Sequence, residues 1–270
     1  MTKSKSPREK GTYERIIVHL FNRHWRAGIT EFVVSRNEIR EAAEELGLAA
    51  PRNLGDLIYT YRYRRDFPDE ILATEPPGRH WLILGAGDAS YRFRLNRLVR
   101  IKPQEGLHIR KIPHSTPEII ESYALSDEQA LLARIRYNRL IDIFLGVTAY
   151  SLQNHLRTKI DNYGQIEIDE LYVGVDSGGA HHVIPVQAKG KSDKLGVIQT
   201  IQDHMYCSGN PRYAGCVVRN VSAQFLPDGT IALFELRFDG DEVTILRERH
   251  YQLVPENEIT LEDKESYREA

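Results

Sequence analysis

Two segments of the chain each carry polar side chains that suit metal-assisted chemistry. Glu167 and Asp169 lie two residues apart in the first segment, and Gln187 and Lys189 lie two residues apart in the second. Residues at this spacing point to the same face of a β-strand. Two neighbouring antiparallel strands would therefore bring Asp169, Gln187 and Lys189 together.

This combination of an acid, an amide and a lysine predicts a metal site that acts on a phosphate ester. Mg²⁺ takes oxygen ligands, keeps several waters and usually binds through one or two carboxylates together with substrate phosphates. The candidate ligands are Asp169, the side-chain carbonyl of Gln187 and the backbone carbonyl of Ala188, with Mn²⁺ as an alternative ion. Such a metal lowers the pKa of a bound water, and we expect Lys189 to orient that water and to screen the phosphate charge. The predicted catalytic residues are Asp169, Gln187 and Lys189.

A β-hairpin is the element that has to position these residues. Residues 165–175 alternate as a strand does, and the alternation predicts two faces: Ile166, Ile168 and Tyr172 on one, Glu167, Asp169 and Leu171 on the other. The sequence Asp176-Ser177-Gly178-Gly179 predicts the turn, because glycine accepts the positive φ that hairpin turns need. The chain then returns as a strand over residues 182–189. Pro185 conflicts with a central position for that strand, since proline has no amide donor.

An acid in one strand, followed by Gln-Ala-Lys at the end of the next, resembles the PD-(D/E)xK nuclease superfamily, which includes many type II restriction endonucleases. Asp169 matches the first acid of the motif and Lys189 matches its lysine. Gln187 stands where the family usually has Asp or Glu, and Ile168 stands where it usually has Pro. The resemblance covers residues 127–254 and implies a restriction-endonuclease-like mixed sheet flanked by helices. It also implies a metal-dependent DNA endonuclease, most like a type II restriction enzyme, with a repair or junction-resolving nuclease as a close relative.

The family usually leads into its sheet with a helix that often supplies another acid. Residues 127–156 form an amphipathic tract that we expect to be this helix. The candidate acids in or near this helix, which the sequence does not rank, are Glu121, Glu128 and Asp142. Glu167 is a further candidate for the additional acid. Beyond the hairpin, a helix over residues 194–205 is expected to place Gln199 and Gln202 near the site. Lys191 and Lys194 are expected to contact DNA.

The first hundred residues predict a different order of elements. The pattern indicates a helix over 13–25, a strand over 31–34, a helix over 36–46 that begins with a capping box of Ser35 and Glu38, and a helix over 53–63. Segments 80–84 and 91–95 then predict a second hairpin. This order resembles a winged helix-turn-helix domain, in which the second helix of the pair commonly enters the major groove.

That resemblance implies a set of DNA-contacting residues around the second helix. The basic and polar candidates are Arg52, Asn53, Arg62, Arg64 and Arg65, together with Tyr59 and Tyr61. Tyrosines at 59, 61 and 63 do not share one helical face, so at least one of them is expected in the core. The arginines have an alternative interpretation as a solvated helix end.

Length and composition allow one large globular domain or two ordinary ones, and the two resemblances imply a two-domain α/β protein of the α+β kind. Of the 270 residues, 41% are hydrophobic and 27% are charged, as in globular proteins. Residues 1–110 hold 20 Lys and Arg against 14 Asp and Glu, whereas residues 111–270 hold 16 against 24. A basic front half suits a polyanionic partner such as double-stranded DNA. We therefore expect a DNA-binding domain over 1–110 and a nuclease domain over 111–270, joined by a Pro- and Gly-containing linker between 102 and 117.

Several function classes are excluded by what the sequence lacks. Cys207 and Cys216 are the only cysteines, which argues against a zinc site or a disulfide framework and favours a reducing cytoplasm. The sequence has no apolar run of membrane-span length and no Gly-rich phosphate loop, so a membrane protein or an ATP-driven translocase is not expected. Residues 1–11 are expected to form a short, basic, mobile tail. A homodimer is expected because symmetric duplex sites match two-fold proteins.

Two alternatives to the nuclease stay open at this point. Gln187 is compatible with a DNA-binding regulator whose nuclease-like domain is inactive and serves for dimerisation. A soluble α/β protein with no nucleic-acid role would require both resemblances to be accidental. DNA binding that falls steeply with salt would eliminate this last alternative.

Overall fold

The chain is a mixed α/β protein that divides into two compact units. The computed structural model describes residues 11–124, 126–161, 163–191, 193–239 and 242–268. The predicted N-terminal tail lies outside these residues except for Gly11. The first unit extends to Val99 and also includes Asp161 and Tyr163, and the second contains Arg100–Ile160 and the chain from Gly164 onward. No helix in the described part of the chain is long and apolar enough to cross a membrane.

The first unit contains short helices and a three-stranded antiparallel sheet. In chain order its elements are α1 (Thr12–His24), β1 (Glu31–Ser35), α2 (Arg36–Glu45), α3 (Leu54–Tyr59), a π-helical turn (Thr60–Arg64), α4 (Asp69–Leu72), β2 (His80–Gly85) and β3 (Ser90–Asn96). The strand order is β1-β3-β2. Ser35 and Glu38 form the predicted capping box at the start of α2. Buried apolar side chains from all these helices and strands form one core, which includes Phe21, Trp81 and Phe93.

The π-helical turn determines which tyrosines are exposed after α3. Arg65 donates its backbone N–H to the carbonyl of Thr60 at 2.8 Å, which closes a wider turn than an α-helix has. Tyr61 is buried in the core, whereas Tyr59 and Tyr63 are exposed and their ring centroids lie 4.9 Å apart. The expectation that the three tyrosines do not share one face is confirmed.

The second unit is built on a large mixed sheet. Its elements are β4 (Arg100–Ile101), β5 (Ile109–Pro113), α5 (Glu118–Tyr123), α6 (Asp127–Tyr137), α7 (Leu140–Leu145), β6 (Thr148–Ile160), β7 (Gly164–Val175), β8 (His181–Lys189), β9 (Leu195–Gly196), α8 (Val197–Gly209), β10 (Val217–Val218), β11 (Asn220–Phe225), β12 (Ile231–Asp239), β13 (Glu242–Val254) and α9 (Leu261–Ser266). The strand order is β5-β13-β12-β11-β8-β7-β6, and β10 also pairs with β8. The hairpin β7–β8 is antiparallel, and β11 is parallel to β8.

Helices pack on both faces of this sheet. One face carries α6 and α7, whose leucines and isoleucines form a core with alternate residues of β8, namely Ile184, Val186 and Ala188. The other face carries α8, and Val183 of β8 packs there with Cys207. The sheet therefore separates the even-numbered from the odd-numbered residues of β8, and Gln187 and Lys189 belong to the odd-numbered set.

The prediction of one long helix over residues 127–156 is wrong. The helical chain breaks at Arg139, which has φ 53°, and α7 ends at Gly146, which has φ 68°. Both residues adopt the left-handed region that interrupts a helix. Residues 148–160 are instead the edge strand β6. Amphipathic spacing over this tract did not distinguish two short helices and a strand from a continuous helix.

The segment predicted as a linker contains a strand of the large sheet. β5 pairs in parallel with β13, from Ile109 opposite His250 to Pro113 opposite Val254. A boundary at residue 110 falls inside this strand, and the two compact units divide instead between Val99 and Arg100. Proline at the end of an edge strand costs no ladder hydrogen bond, so the polar and Pro-rich composition of the segment did not reveal the strand.

Pro185 is accommodated in a central strand by an interruption on one side. β10 pairs with β8 at His182 and Val183, and β11 pairs with it from Val186 onward. Pro185 falls in the gap between these two partners. Its missing amide donor therefore removes no hydrogen bond from the sheet.

Candidate active site

The hairpin opens at the residue that the sequence singles out. The ladder between β7 and β8 runs from Val175 opposite His181 to Glu170 opposite Val186 and extends no further. Beyond that point the backbone N–H of Ala188 donates to Oδ2 of Asp169 at 2.8 Å. The carboxylate of Asp169 thus accepts from the Ala188 amide in place of a backbone carbonyl of β7, and the two strands separate around it.

The side chains of β7 change face at this position. Ile168 and Leu171 lie in the same apolar cluster as Val183, although residues three apart in a regular strand point to opposite faces. Tyr172 lies in the cluster on the other side of the sheet. The predicted assignment of Ile166, Ile168 and Tyr172 to one face is therefore wrong. The predicted shared face of Glu167 and Asp169 is also wrong, because the irregularity between 168 and 171 separates their side chains.

Asp169 is a buried carboxylate that is surrounded mainly by neutral donors. It is 5% exposed. The amide of Gln199 donates to Oδ1 at 3.2 Å, and Nζ of Lys189 lies 3.8 Å from Oδ2. Burial raises the pKa of Asp169, and Lys189, Ala188 and Gln199 oppose that shift. Because no cation of the described residues reaches hydrogen-bond distance, the carboxylate retains a capacity for a further positive charge.

Gln187 is fixed at both ends of its amide by α8. Its Oε1 accepts from the hydroxyl of Thr200 at 3.0 Å, and its Nε2 donates to Oε1 of Gln199 at 3.1 Å. Gln199 also donates to the carbonyl of Glu167 at 3.3 Å. Gln199 therefore connects Asp169 with Gln187, which agrees with the expectation that it lies near the site. A carbonyl oxygen has two lone pairs, so Oε1 of Gln187 retains one acceptor position.

Lys189 lies between two carboxylates from different elements. Its Nζ is 3.8 Å from Asp169 and 3.9 Å from Oε1 of Glu128, in the first turn of α6. Burial raises the pKa of Glu128, and the negative charge of Asp169 raises it further. We name Glu128, Asp169, Gln187 and Lys189 the candidate active site.

The other helix acids have partners elsewhere. Oε1 of Glu121 accepts from Nε of Arg134 at 2.7 Å. Asp142 pairs with Arg139 and accepts from the backbone N–H of Ala149 at 2.9 Å. Among the three helix acids that the sequence left unranked, the structure brings Glu128 to the site.

Glu167 pairs with Arg157 and His155 in a surface cluster, and among the described residues no hydrogen bond or ion pair joins its side chain to Asp169 or Lys189. Its Oε2 accepts from Nε of Arg157 at 3.0 Å, and its Oε1 lies 3.1 Å from Nδ1 of His155. The hydrogen bond from Arg157 lowers the pKa of Glu167, and His155 lowers it further. As a candidate additional acid, Glu167 is therefore less suitable than Glu128.

Sequence reasoning missed a buried carboxyl group behind the site. Asp203 on α8 is 2% exposed, and its Oδ1 has no hydrogen-bond partner among the described residues. Burial raises its pKa well above the ordinary value, and the charge of Asp169 contributes. The available signal was the four-residue spacing from Gln199, which places both side chains on one face of a helix.

The donor set of the candidate active site suits a hard divalent cation. Two carboxylates and an amide carbonyl are all oxygen donors, the class that Mg²⁺ and Mn²⁺ prefer. Within the described residues no group of three or more His, Cys, Asp or Glu side chains is arranged to hold a metal. A metal bound here would therefore depend on Gln187, backbone carbonyls, waters or substrate oxygens in addition to the acids.

The lysines beyond the hairpin are exposed on a loop that the sheet holds in place. Nζ of Lys191 lies 4.9 Å from the centre of the Phe225 ring. Gln224 on β11 donates to the carbonyl of Gly190 at 2.6 Å. Lys194 is exposed as well. Both predicted DNA-contacting lysines are therefore accessible.

The basic residues of the first unit divide into two groups. Arg52, Arg64 and Arg65 are exposed, and the guanidinium of Arg64 lies 4.8 Å from the ring centre of Tyr59. Arg62 instead donates from Nε to the carbonyl of Ile83 at 2.9 Å and lies over the ring of Tyr91. Arg62 is therefore committed to holding the β2–β3 hairpin and is a poor candidate for DNA contact.

Asn53, a candidate for DNA contact, has a structural role at the start of α3. Its Oδ1 accepts from the backbone N–H of Gly55 at 3.1 Å, which caps the start of α3. Its Nδ2 is not used in this cap. DNA contact by Asn53 would have to involve that amide group.

No family model, no curated protein and no solved structure matches this chain. The fold and the side-chain geometry are thus the observations from which a function can be inferred.

Proposed function

We propose that this chain is a metal-dependent DNA endonuclease, most like a type II restriction enzyme, with a PD-(D/E)xK-like catalytic unit. The meeting of Glu128, Asp169, Gln187 and Lys189 where β7 and β8 separate is the observation that carries the proposal. The order of helix, antiparallel hairpin, helix and parallel strand, formed by α6, β7, β8, α8 and β11, also fits the family's mixed core.

Asp169, the side-chain carbonyl of Gln187 and the backbone carbonyl of Ala188 would hold Mg²⁺ or Mn²⁺. When bound, the metal supplies a Lewis acid for the phosphate and lowers the pKa of a water. Burial raises the pKa of Asp169 and of Glu128, so a divalent charge held beside these two carboxylates would favour their ionised form.

The residues of the chain orient the reactants and balance their charge. Ala188 and Gln199 fix the rotamer of Asp169, and Thr200 and Gln199 fix that of Gln187. Lys189 places a cation beside the phosphate and orients the attacking water. In the reaction the water oxygen forms a bond to phosphorus while one P–O ester bond breaks; the attacking water gives up one proton to solvent, and the leaving oxygen takes up one proton from solvent.

The first unit is proposed to bind double-stranded DNA as a winged helix. The order α1, β1, α2, α3, β2, β3, with the antiparallel sheet β1-β3-β2, supports this part of the proposal. The exposed residues Arg52, Arg64 and Arg65 would contact phosphates or base edges. We further propose a homodimer, because symmetric duplex sites match two-fold proteins, and a cytoplasmic location, with which the free thiols of Cys207 and Cys216 are compatible.

A cleavage assay tests the nuclease proposal directly. Plasmid, phage and branched junction DNA are incubated with Mg²⁺, Mn²⁺ or chelator and with the wild type, Asp169→Ala, Lys189→Ala or the surface control Lys264→Ala. We expect discrete metal-dependent fragments from the wild type and the control, and none from the two site variants. Cleavage of junction DNA alone would favour a repair or junction-resolving nuclease. Cleavage that persists in both site variants would contradict the proposed site.

The hydrogen bonds of Gln187 favour one alternative function. Its amide is hydrogen-bonded at both ends, as a purely structural residue would be. A DNA-binding regulator with an inactive nuclease-like unit would then explain the neutral residue at a ligand position. Salt-sensitive DNA binding without cleavage under any metal condition would select this alternative.

A further inference from the structure

His155 has an unusual backbone conformation inside a regular strand. Among the described residues, three that are not glycine have positive φ: Ala89, Arg139 and His155, the last at 45°. Ala89 and Arg139 lie in connections between elements, whereas His155 lies within the 13-residue strand β6. Histidine tolerates this region better than most residues but still adopts it rarely. Such strain persists when the surrounding structure fixes it, and it is frequent at functional sites.

The strained residue lies directly across the sheet from Asp169. β6 pairs with β7 through Asn154 opposite Glu170 and Leu156 opposite Ile168, so His155 faces Asp169 in the register. The face change of β7 between 168 and 171 occurs at the same level. The kink at His155 and the separation of β7 from β8 are thus parts of one irregularity, centred on the candidate active site.

The imidazole is held in place by the surface cluster on β6 and β7. Nδ1 of His155 lies 3.1 Å from Oε1 of Glu167, whose second oxygen accepts from Arg157. The side chain is 43% exposed, and its Nε2 has no hydrogen-bond partner among the described residues. Burial dominates the raised pKa of Asp169 and of Glu128, and His155 is among the positive groups that oppose both shifts. An exposed, oriented imidazole therefore stands within electrostatic range of both acids of the site.

We propose that His155 is a substrate-binding residue of the candidate active site, whose Nε2 donates a hydrogen bond to a phosphate oxygen of the bound DNA strand. The proposal rests on the proposed nuclease function. In the imidazolium form both ring nitrogens donate, Nδ1 to Glu167 and Nε2 to the phosphate. The strained backbone keeps the ring at the open end of the hairpin, and Glu167 is a positioning residue that orients it.

The variant His155→Gly distinguishes the contribution of the imidazole from that of the strained backbone. Glycine adopts positive φ without steric cost, so a purely structural role predicts a variant that is at least as stable and fully active. We also expect an unchanged or higher unfolding temperature, but with a 10- to 100-fold loss of plasmid cleavage in Mg²⁺. DNA binding should be about tenfold weaker, measured in Ca²⁺ as a hard cation in place of Mg²⁺. Arg139→Gly is the matched control, since it relieves the same conformation outside the site, and it should cleave as the wild type does.

A second variant guards against a folding defect in the first. Asparagine also tolerates the left-handed region, so His155→Asn should fold while losing Nε2, and it should show the same loss of cleavage and binding. Wild-type cleavage and binding in a stable His155→Gly variant would overturn the proposal. If the wild type itself does not cleave, the nuclease fails, and the DNA-binding comparison alone decides whether His155 contacts DNA.

Discussion

Asp169 and Glu170 are adjacent carboxylates on one strand, and the structure treats them in opposite ways. Glu170 is 0% exposed and accepts from Nε of Arg136 on α6 at 2.7 Å. Asp169 accepts from neutral amides, and its nearest cation, Lys189, lies at 3.8 Å. A buried charge needs a partner, and Glu170 finds one inside the protein. The comparison indicates that Glu170 serves the fold, whereas Asp169 is left with room for a cation from outside.

Removing the cation that pairs with Glu170 should have the largest effect on the unfolding free energy. Arg136→Ala leaves a fully buried carboxylate without its cation, and removing one partner of such a pair typically costs about 3–5 kcal/mol of unfolding free energy. Urea unfolding in chelator measures the loss. The double variant Arg136→Ala/Glu170→Ala removes both charges and should recover part of it. A loss below about 1 kcal/mol would mean that Glu170 is solvated well enough to stand alone.

The charge of Asp169 should make the stability of the protein depend on added Mg²⁺. Mg²⁺ at 100 times its dissociation constant should stabilise the wild type by about 2.7 kcal/mol. Asp169→Asn keeps the size of the side chain but loses the charge, so we expect its unfolding temperature to be insensitive to Mg²⁺. Thermal unfolding with MgCl₂, against NaCl of equal ionic strength, tests this difference. An equal Mg²⁺ shift in both proteins would place the metal elsewhere.

Local signals predicted much of the fold. The capping box of Ser35 and Glu38, the turn at Asp176–Gly179 and the strands on either side follow from neighbouring residues, and the structure contains all of them. The mixed sheet flanked by helices was predicted as well, through the motif resemblance. The capping box, the turn and the flanking strands depend on interactions within a few residues, which is the range that a sequence pattern describes.

The details of the site depend on contacts that are distant in sequence. The face change around Asp169 accompanies two irregularities of the neighbouring strand β6, which are a register shift between Ser151 and Gln153 and the positive φ of His155. Strand alternation alone did not predict it. Arg62 and Arg64 are similarly indistinguishable as letters, yet one packs on Tyr91 and the other on exposed Tyr59. Burial of Asp203 behind the site likewise requires the tertiary packing of α8.

Asp203 extends the comparison to a buried acid that has no ion pair with any described residue. Its folded-state pKa lies well above the unfolded value because burial disfavours the charged form. The stability it contributes is complete below the unfolded pKa and is lost as pH rises through the folded pKa. We expect Asp203→Asn to match the wild type below the unfolded pKa and then to exceed its unfolding free energy, by about 1.4 kcal/mol for each pH unit between the unfolded and the folded pKa and by a constant amount above it. Urea unfolding across pH in chelator measures the difference, and parallel pH profiles would show that Asp203 does not titrate in this way.

The smallest expected effect concerns the neutral groups that orient Asp169. Gln199→Leu removes the donor to Oδ1 and the acceptor for Nε2 of Gln187, so both candidate ligands lose a constraint while the charges of the site are unchanged. One such hydrogen bond contributes about 1 kcal/mol, and we expect cleavage to fall about tenfold with a higher Mg²⁺ requirement. Gln165→Leu, an exposed glutamine on the same sheet, is the control and should cleave as the wild type does. Arginine orients Glu170 with a charge, whereas Gln199 orients Asp169 without one. If Gln199→Leu lowers the unfolding temperature but leaves cleavage and the Mg²⁺ requirement unchanged, Gln199 serves the fold in the way that Arg136 does, and the contrast between the two carboxylates no longer extends to their supporting residues.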